Sequence, residues 1–355
     1  MTLDVEILFE EKAAIGLITL NRPKALNALT LGMIRAMDQK MREWATKDGI
    51  KAVVVRGGGE KAFCAGGDVR AVWNAGKSGD KLTKEFFYEE YVLNHLIFNY
   101  PKPYVALLDG ITMGGGVGIA VLGSHRVVSE KTLFAMPETA IGLFPDVGGS
   151  WFLNLCPGEV GAYLALTGAR LKAADTIATN IATNFVPSDK IDALEAALGV
   201  ADYEHGDAVA IVDMVLAPFE GDAGDTILEK DYALIDTCFG HNNVEEIFTS
   251  LEADNSDFAA GALADLQKKS PTSLKISLKQ LRDGKNMSFD NCMIMEYRMS
   301  QACMAGVDFY EGIRAVLVDK DQSPKWSPAN LADVSDELVN KHFESLGAGD
   351  LSFDK

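Results

Sequence analysis

The sequence predicts an α/β layered fold followed by a mostly helical C-terminal region. Three observations carry this. The first half repeats a unit of short strand, turn and helix. An acidic, Pro- and Gly-containing connector then runs through Leu216–Asp231. Beyond it the pattern is helical. The 355 residues allow two units, divided here as 1–215 and 216–355.

Ile7–Phe9 and Gly16–Leu20 flank a polar turn and read as a hairpin. Asn21-Arg22-Pro23 breaks the second strand. Thr30 is placed to cap an amphipathic helix running to Trp44. Lys51–Arg56 and Tyr104–Leu108 are buried strands, closed by Gly57-Gly58-Gly59 and Asp109-Gly110. Phe86–Leu96 reads as a helix. After the second strand come a glycine-rich turn, an apolar helix, and two short strands at Arg126–Ser129 and Thr132–Phe134. In the second half, Ser270-Pro271 pairs a helix cap with Pro at the first helical position, and Trp326-Ser327-Pro328 opens an acidic tail.

Charge excludes partners. With 33 Lys+Arg against 51 Asp+Glu the net charge is −18, a field that repels nucleic acid and anionic membrane surfaces. A phosphate-bearing ligand must be met by local cations or backbone N–H groups. No apolar run is long enough for a membrane span. Five cysteines without a C-x-x-C pair point to a reducing compartment. The five histidines lack zinc-ligand spacing, so no metal is expected. The N-terminus carries Asp4, Glu6, Glu10 and Glu11, unlike a transit or secretory leader. The expectation is a cytoplasmic bacterial protein; a processed mitochondrial matrix protein would look the same.

Two glycine-rich turns are the sharpest local feature: Phe63-Cys64-Ala65-Gly66-Gly67-Asp68 and Gly110-Ile111-Thr112-Met113-Gly114-Gly115-Gly116-Val117-Gly118. Glycine lets backbone N–H groups point outward and lets a ligand approach. Facing each other, such turns would make a two-donor oxyanion hole; singly, each also suits plain packing. Ile119 stands where a dinucleotide fingerprint needs its third glycine, and neither G-x-x-x-x-G-K-[ST] nor G-x-S-x-G occurs. Glu138 and Asp146 sit among small and apolar residues in the stretch Met136–Gly149, where a carboxylate needs a partner or a task. Glu89-Glu90, on the helix-like stretch, would ordinarily be solvated.

Together these segments resemble the crotonase (enoyl-CoA hydratase/isomerase) superfamily, through Asn21–Leu29 (N-R-P-K-A-L-N-A-L) and both glycine turns. Within it the chain is similar to the 3-hydroxyisobutyryl-CoA hydrolase subgroup at Phe134–Gly149, Ser270–Lys275, Met295–Cys303 and Asp319–Trp326. The resemblance implies a crotonase-like spiral of ββα repeats with a helical C-terminal region. It implies oxyanion donors at the N–H groups of Gly67 and Gly115, and CoA contacts from Lys24, Ala25, Leu26, Ala65, Gly66, Gly67 and Asp68. It also implies catalytic or substrate-contacting acids at Glu138, Asp146 and Glu90. Cofactors are none, coenzyme A being part of the substrate, and a homo-oligomer is implied, its size open to change by the long C-terminal region. The cation that meets the CoA phosphates is left open among Lys275, Lys279, Lys320 and Lys325.

One departure bears on the reaction. Hydratases of the superfamily use two glutamates; here the first of those positions is Gly118 and the second is Glu138. Hydration of a C=C bond is thereby disfavoured, while chemistry at the thioester carbonyl remains. The expected reaction is hydrolysis of a 3-hydroxyacyl-CoA thioester, with Glu138 as nucleophile or as general base. Two alternatives stand beside it: a hydratase or isomerase working with Glu138 alone, and a non-catalytic CoA-binding protein.

Overall fold

The computed structural model describes residues 5–353; Asp4 lies outside them. Along the chain the elements are β1 (Ile7–Lys12), β2 (Ile15–Leu20), α1 (Leu31–Thr46), β3 (Ala52–Gly57), β4 (Ala62–Cys64), α2 (Val69–Ser78) and α3 (Leu82–Phe98). Then come β5 (Tyr104–Leu108), β6 (Ile111–Met113), α4 (Gly115–Gly118), β7 (His125–Val128), β8 (Leu133–Ala135), α5 (Gly149–Phe152), α6 (Val160–Thr167), α7 (Ala173–Ala178) and β9 (Asn184–Phe185). Helices complete the chain: α8 (Ile191–Val200), α9 (Ala208–Leu216), α10 (Tyr232–Phe239), α11 (Val244–Ala253), α12 (Asp257–Leu266), α13 (Pro271–Gly284), α14 (Phe289–Ala305), α15 (Asp308–Ile313) and α16 (Asp336–Lys341). No helix among the described residues is long and apolar enough to cross a membrane.

The chain divides into two compact units. The first runs to Gly67 and takes in Val92–Phe134 and Leu171–Ile227; the second takes Asp68–Tyr91, Ala135–Arg170 and the described chain from Leu228 on. A single cut at 215/216 therefore does not describe the division. Segments 68–91 and 135–170 go with the C-terminal helices because those helices need them as core: α6, buried at Val160, Leu164, Ala165 and Leu166, packs against α10, α12 and α13.

In the first unit a six-stranded sheet has the order β1-β2-β3-β5-β7-β9. β1 and β2 form the antiparallel hairpin; every later pairing is parallel. Alternation along the strands sends Ile15, Leu17, Ala52, Val54, Val105, Leu107 and Val127 to one face, where α8 and α9 supply Leu194, Leu198, Val212 and Leu216. The other face takes α1, capped by Thr30 Oγ1 accepting from Met33 N–H at 3.2 Å. Gly16 is small because Trp44 lies on it: a Cβ there would sit 2.4 Å from the indole Cε3. A second sheet, ordered β4-β6-β8, carries the glycine turns. The helix expected after the second turn is only the four residues of α4. Glycines at 114, 115, 116 and 118 cannot sustain a longer one, and the Tyr104 hydroxyl donates to Ile119 O at 2.8 Å just beyond its end.

In the second unit, Arg282 of α13 ties the helices together. It donates to Phe239 O (2.7 Å) and His241 O (2.9 Å) and pairs with Glu159 (2.7 Å). Ser270 caps α13 through Ser273 N–H (3.0 Å), with Pro271 at its first position.

Candidate active site

The predicted residues fall into two groups, one in each unit, except that Asp68 is where the chain enters the second unit. In the first unit, Pro23–Ala25 forms a 3-10 turn closed by Leu26 and Asn27 in the left-handed region (φ +50° and +57°). Asn27 is buried and pins this strained turn. Its amide donates to Gly58 O (2.9 Å) and Ala62 O (2.8 Å), and its Oδ1 accepts from Arg22 N–H (3.0 Å). Ala65 N–H donates to Leu26 O (3.0 Å) and Leu29 N–H to Gly66 O (2.9 Å). Lys24, Ala25 and Leu26 thus lie beside Ala65, Gly66 and Gly67, with Lys24 and Ala25 exposed. Asp68 caps α2, its carboxylate accepting from Ala71 N–H at 3.2 Å.

Parallel pairing of β4 with β6 brings the second turn to the first. A Cβ on Gly66, whose φ is +118°, would lie 3.7 Å from Gly115 N. One on Gly116 would be 2.3 Å from Cys64 O, so only glycine allows the approach. Gly115 is the first residue of α4, where an N–H has no intrahelical acceptor. The hydrogen bonds that pin the first turn leave the Gly67 N–H unused.

The second unit holds the acids. Phe86, Phe87, Glu90 and Tyr91 are all buried, so Glu90 lies on the apolar stripe of α3, while its neighbour Glu89 is half-buried. Glu138 opens the 3-10 turn Glu138–Ile141. That turn closes at Gly142 (φ +70°), where a Cβ would press on the Asp308 carbonyl carbon at 2.2 Å. Asp146 lies in a tight loop with Val147 at φ +51° and Gly148 at +93°. Glu90, Glu138 and Asp146 are 2 %, 4 % and 4 % exposed. The Tyr91 hydroxyl donates to Asp146 Oδ2 at 2.8 Å, whereas Glu90 Oε1 and Glu138 Oε2 have no hydrogen-bond partner.

Burial pushes all three acids up. It holds Glu90 and Glu138 well above the carboxylate range, with the Asp146 charge adding to both. Asp146 is pushed up to about 7 by burial, against the pull of the Tyr91 hydroxyl and its own backbone N–H. No Lys or Arg figures among the groups that shift them. Crowded acids of this kind cannot all ionise near neutral pH. The cluster can take a proton in its ionised form and can pair a hydroxyl through its unpartnered oxygens.

Sequence reasoning missed several residues. Glu296 of α14 is fully buried and bonds the Asp146 loop; Ser150 and Gln280 share that network. Asn94, one turn beyond Glu90 on α3, is fully buried with neither amide atom bonded. A polar residue on the apolar face of its helix was the available signal in each helical case. Of the four candidate cations, Lys275 is held by Glu245 (2.6 Å) and Val334 O (2.9 Å), and Lys279 by Asp283 (2.8 Å). Both are committed within the helical unit. Lys320 sits at a left-handed position (φ +58°), and the backbone N–H of Lys325 donates to Glu311 (2.7 Å).

A model of the enoyl-CoA hydratase/isomerase family matches residues 15–343. The chain belongs to that family. Two solved members share its fold over nearly the whole length. A structure described as a carnitinyl-CoA dehydratase from Mycobacterium thermoresistibile is 38 % identical with a TM-score of 0.92, covering 99 % of each chain. One described as an enoyl-CoA hydratase from Rhodobacter sphaeroides is 37 % identical at 0.90, covering 98 % of this chain and 100 % of that one. Curated family members are nearer in sequence. The mitochondrial 3-hydroxyisobutyryl-CoA hydrolase of Danio rerio is 52 % identical, and the human enzyme of that name 50 %; each match covers 98 % of this chain and 91 % of the relative. The crotonase-like α/β fold expected from the sequence is the fold observed.

Proposed function

We propose that this member of the family hydrolyses 3-hydroxyisobutyryl-CoA to 3-hydroxyisobutyrate and CoA, a step of valine catabolism. The observation that carries the reading is the acid set. Glu138 is present and buried with an unpartnered oxygen, Asp146 and Glu90 are buried with it in the second unit, and Gly118 occupies the other hydratase position. Full-length relatives at about half identity carry the same hydrolase name.

In this mechanism the N–H groups of Gly67 and Gly115 form the oxyanion hole and take the charge that develops on the thioester oxygen. One such donor is typically worth about 3–4 kcal/mol. Ionised Glu138 either attacks the carbonyl, giving on loss of CoA a mixed anhydride that water hydrolyses, or removes a proton from the attacking water. The CoA thiol, with a pKa near the ordinary thiol value of about 8.5, leaves without strong acid assistance. Glu90 and Asp146 orient the 3-hydroxyl or the attacking water, and a site that pairs a hydroxyl discriminates sharply against acyl groups lacking it. Lys24–Leu26 and Ala65–Asp68 hold the CoA arm, and no separate cofactor is required. The setting we infer is a reducing compartment, the mitochondrial matrix or a bacterial cytoplasm: all five cysteines are buried thiols outside any disulfide, and the relatives are named as mitochondrial.

The test is thiol release from 3-hydroxyisobutyryl-CoA, followed with a chromogenic thiol reagent, with Glu138→Gln beside the wild type. The expected result is release by wild type and a drop of about 10² to 10⁴ in the variant. Loss of crotonyl-CoA absorbance without thiol release would replace this reading with the hydratase alternative.

A further inference from the structure

The loop carrying Asp146 is gripped on its C-terminal side by a second buried acid and on its N-terminal side by a buried amide. Glu296, on α14 and fully buried, accepts from Gly148 N–H through Oε2 at 2.8 Å and from Ser150 N–H through Oε1 at 2.9 Å. The Ser150 hydroxyl donates to the same Oε1 in a short contact. On the other flank, the buried Gln280 amide donates to Pro145 O at 2.7 Å, to Ser150 Oγ at 3.1 Å and, more weakly, to Glu296 Oε1 at 3.4 Å. Between these anchors Val147 holds φ +51°, a left-handed conformation that a β-branched residue keeps only when its surroundings impose it. An apolar side chain at 296 would fill the space without binding either N–H. A carboxylate buried there without a cation is an expensive choice for packing alone. Tyr91 then fixes the Asp146 carboxylate itself, at 2.8 Å.

From this geometry we infer that Glu296 is a positioning residue for the hydrolysis: it holds the Pro145–Ser150 loop so that Asp146 presents its carboxylate in one orientation. The inference rests on the reading above that Asp146 acts on the substrate. Glutamine at 296 keeps the shape but not the function. Its single carbonyl oxygen serves one N–H, and its amide turns a donor toward the other.

The experiment is a double-mutant cycle on the full-length enzyme, reading thiol release from 3-hydroxyisobutyryl-CoA in steady state and in single turnover. Glu296→Gln is expected to lower kcat by about 10- to 100-fold, the scale of a misplaced reacting group, with KM changed less than about 2-fold. In the Asp146→Asn background the same substitution should cost less than about 2-fold, because the group it positions has already been lost. A role in packing alone would lower the rate equally in both backgrounds, and that outcome overturns the inference. So does wild-type kcat in Glu296→Gln while Asp146→Asn is slow. Wild-type activity in Asp146→Asn would remove Asp146 from the reaction, defeating the underlying reading and the inference with it. If Glu296→Gln fails to fold, Ser150→Ala takes its place. That change removes one hydroxyl donor and leaves both N–H bonds, so the expected loss is about 2- to 10-fold, and it too should vanish beside Asp146→Asn; equal loss in both backgrounds again overturns the inference.

Discussion

Replacing Asp146 by Asn should trade activity for stability, and the trade should depend on pH. In the folded protein Asp146 is held at about 7 against an ordinary 3.8. Between those values the folded chain keeps a proton that the unfolded chain has released. Stability therefore falls as pH rises through the window, by about 1.36 kcal/mol per pH unit. From pH 5.5 to 7 this loss is about 2 kcal/mol, and above 7 it levels off. Asparagine keeps the shape and can still accept from the Tyr91 hydroxyl, but it does not titrate. The Asp146 charge also raises Glu90 and Glu138, so its removal lowers their cost in the same direction. The Tm of Asp146→Asn minus that of wild type should thus be more positive at pH 8.5 than at pH 5.5. For a chain of this length the change is about 2–3 °C, from roughly 2 cal/mol/K of unfolding entropy per residue. Scanning calorimetry at the two pH values gives the answer. A Tm difference that is the same at both, or more positive at pH 5.5, would refute the claim that this acid is buried against its own charge.

Tyr91→Phe removes the hydroxyl that pulls Asp146 down, so the acid limb of the kcat/KM profile should move to higher pH; a limb that stays in place, measured by thiol release from pH 5.5 to 9, counts against the assignment. Two glycine substitutions should move stability in opposite directions. Gly116→Ala drives a methyl to within 2.3 Å of Cys64 O and should destabilise by about 1–3 kcal/mol while disturbing the two glycine turns. Gly261→Ala, exposed within α12 with nothing inside 4 Å, should stabilise by up to about 1 kcal/mol. Urea melts of the two variants read both, and a loss of stability in Gly261→Ala would contradict the open space found there.

Local elements and the two glycine turns were legible in the sequence alone. The β1–β2 hairpin, the Thr30 cap, the Tyr104–Leu108 strand and the Ser270-Pro271 start are all where local pattern put them, because periodicity, capping and φ preference act over a few residues. The two glycine turns and the acids of Met136–Gly149 were legible for the same reason: small residues around a carboxylate are visible without a fold. Tertiary structure decided the rest. Glu89 and Glu90 are adjacent and chemically alike, and only the packing around α3 leaves one half-buried and buries the other. Segments 68–91 and 135–170 join the C-terminal helices because apolar faces choose partners by shape and not by order along the chain. Glu296 reaches Gly148 across 148 residues of sequence. Its place on the apolar face of α14 is visible locally, but its partners are not, since they become neighbours only on folding.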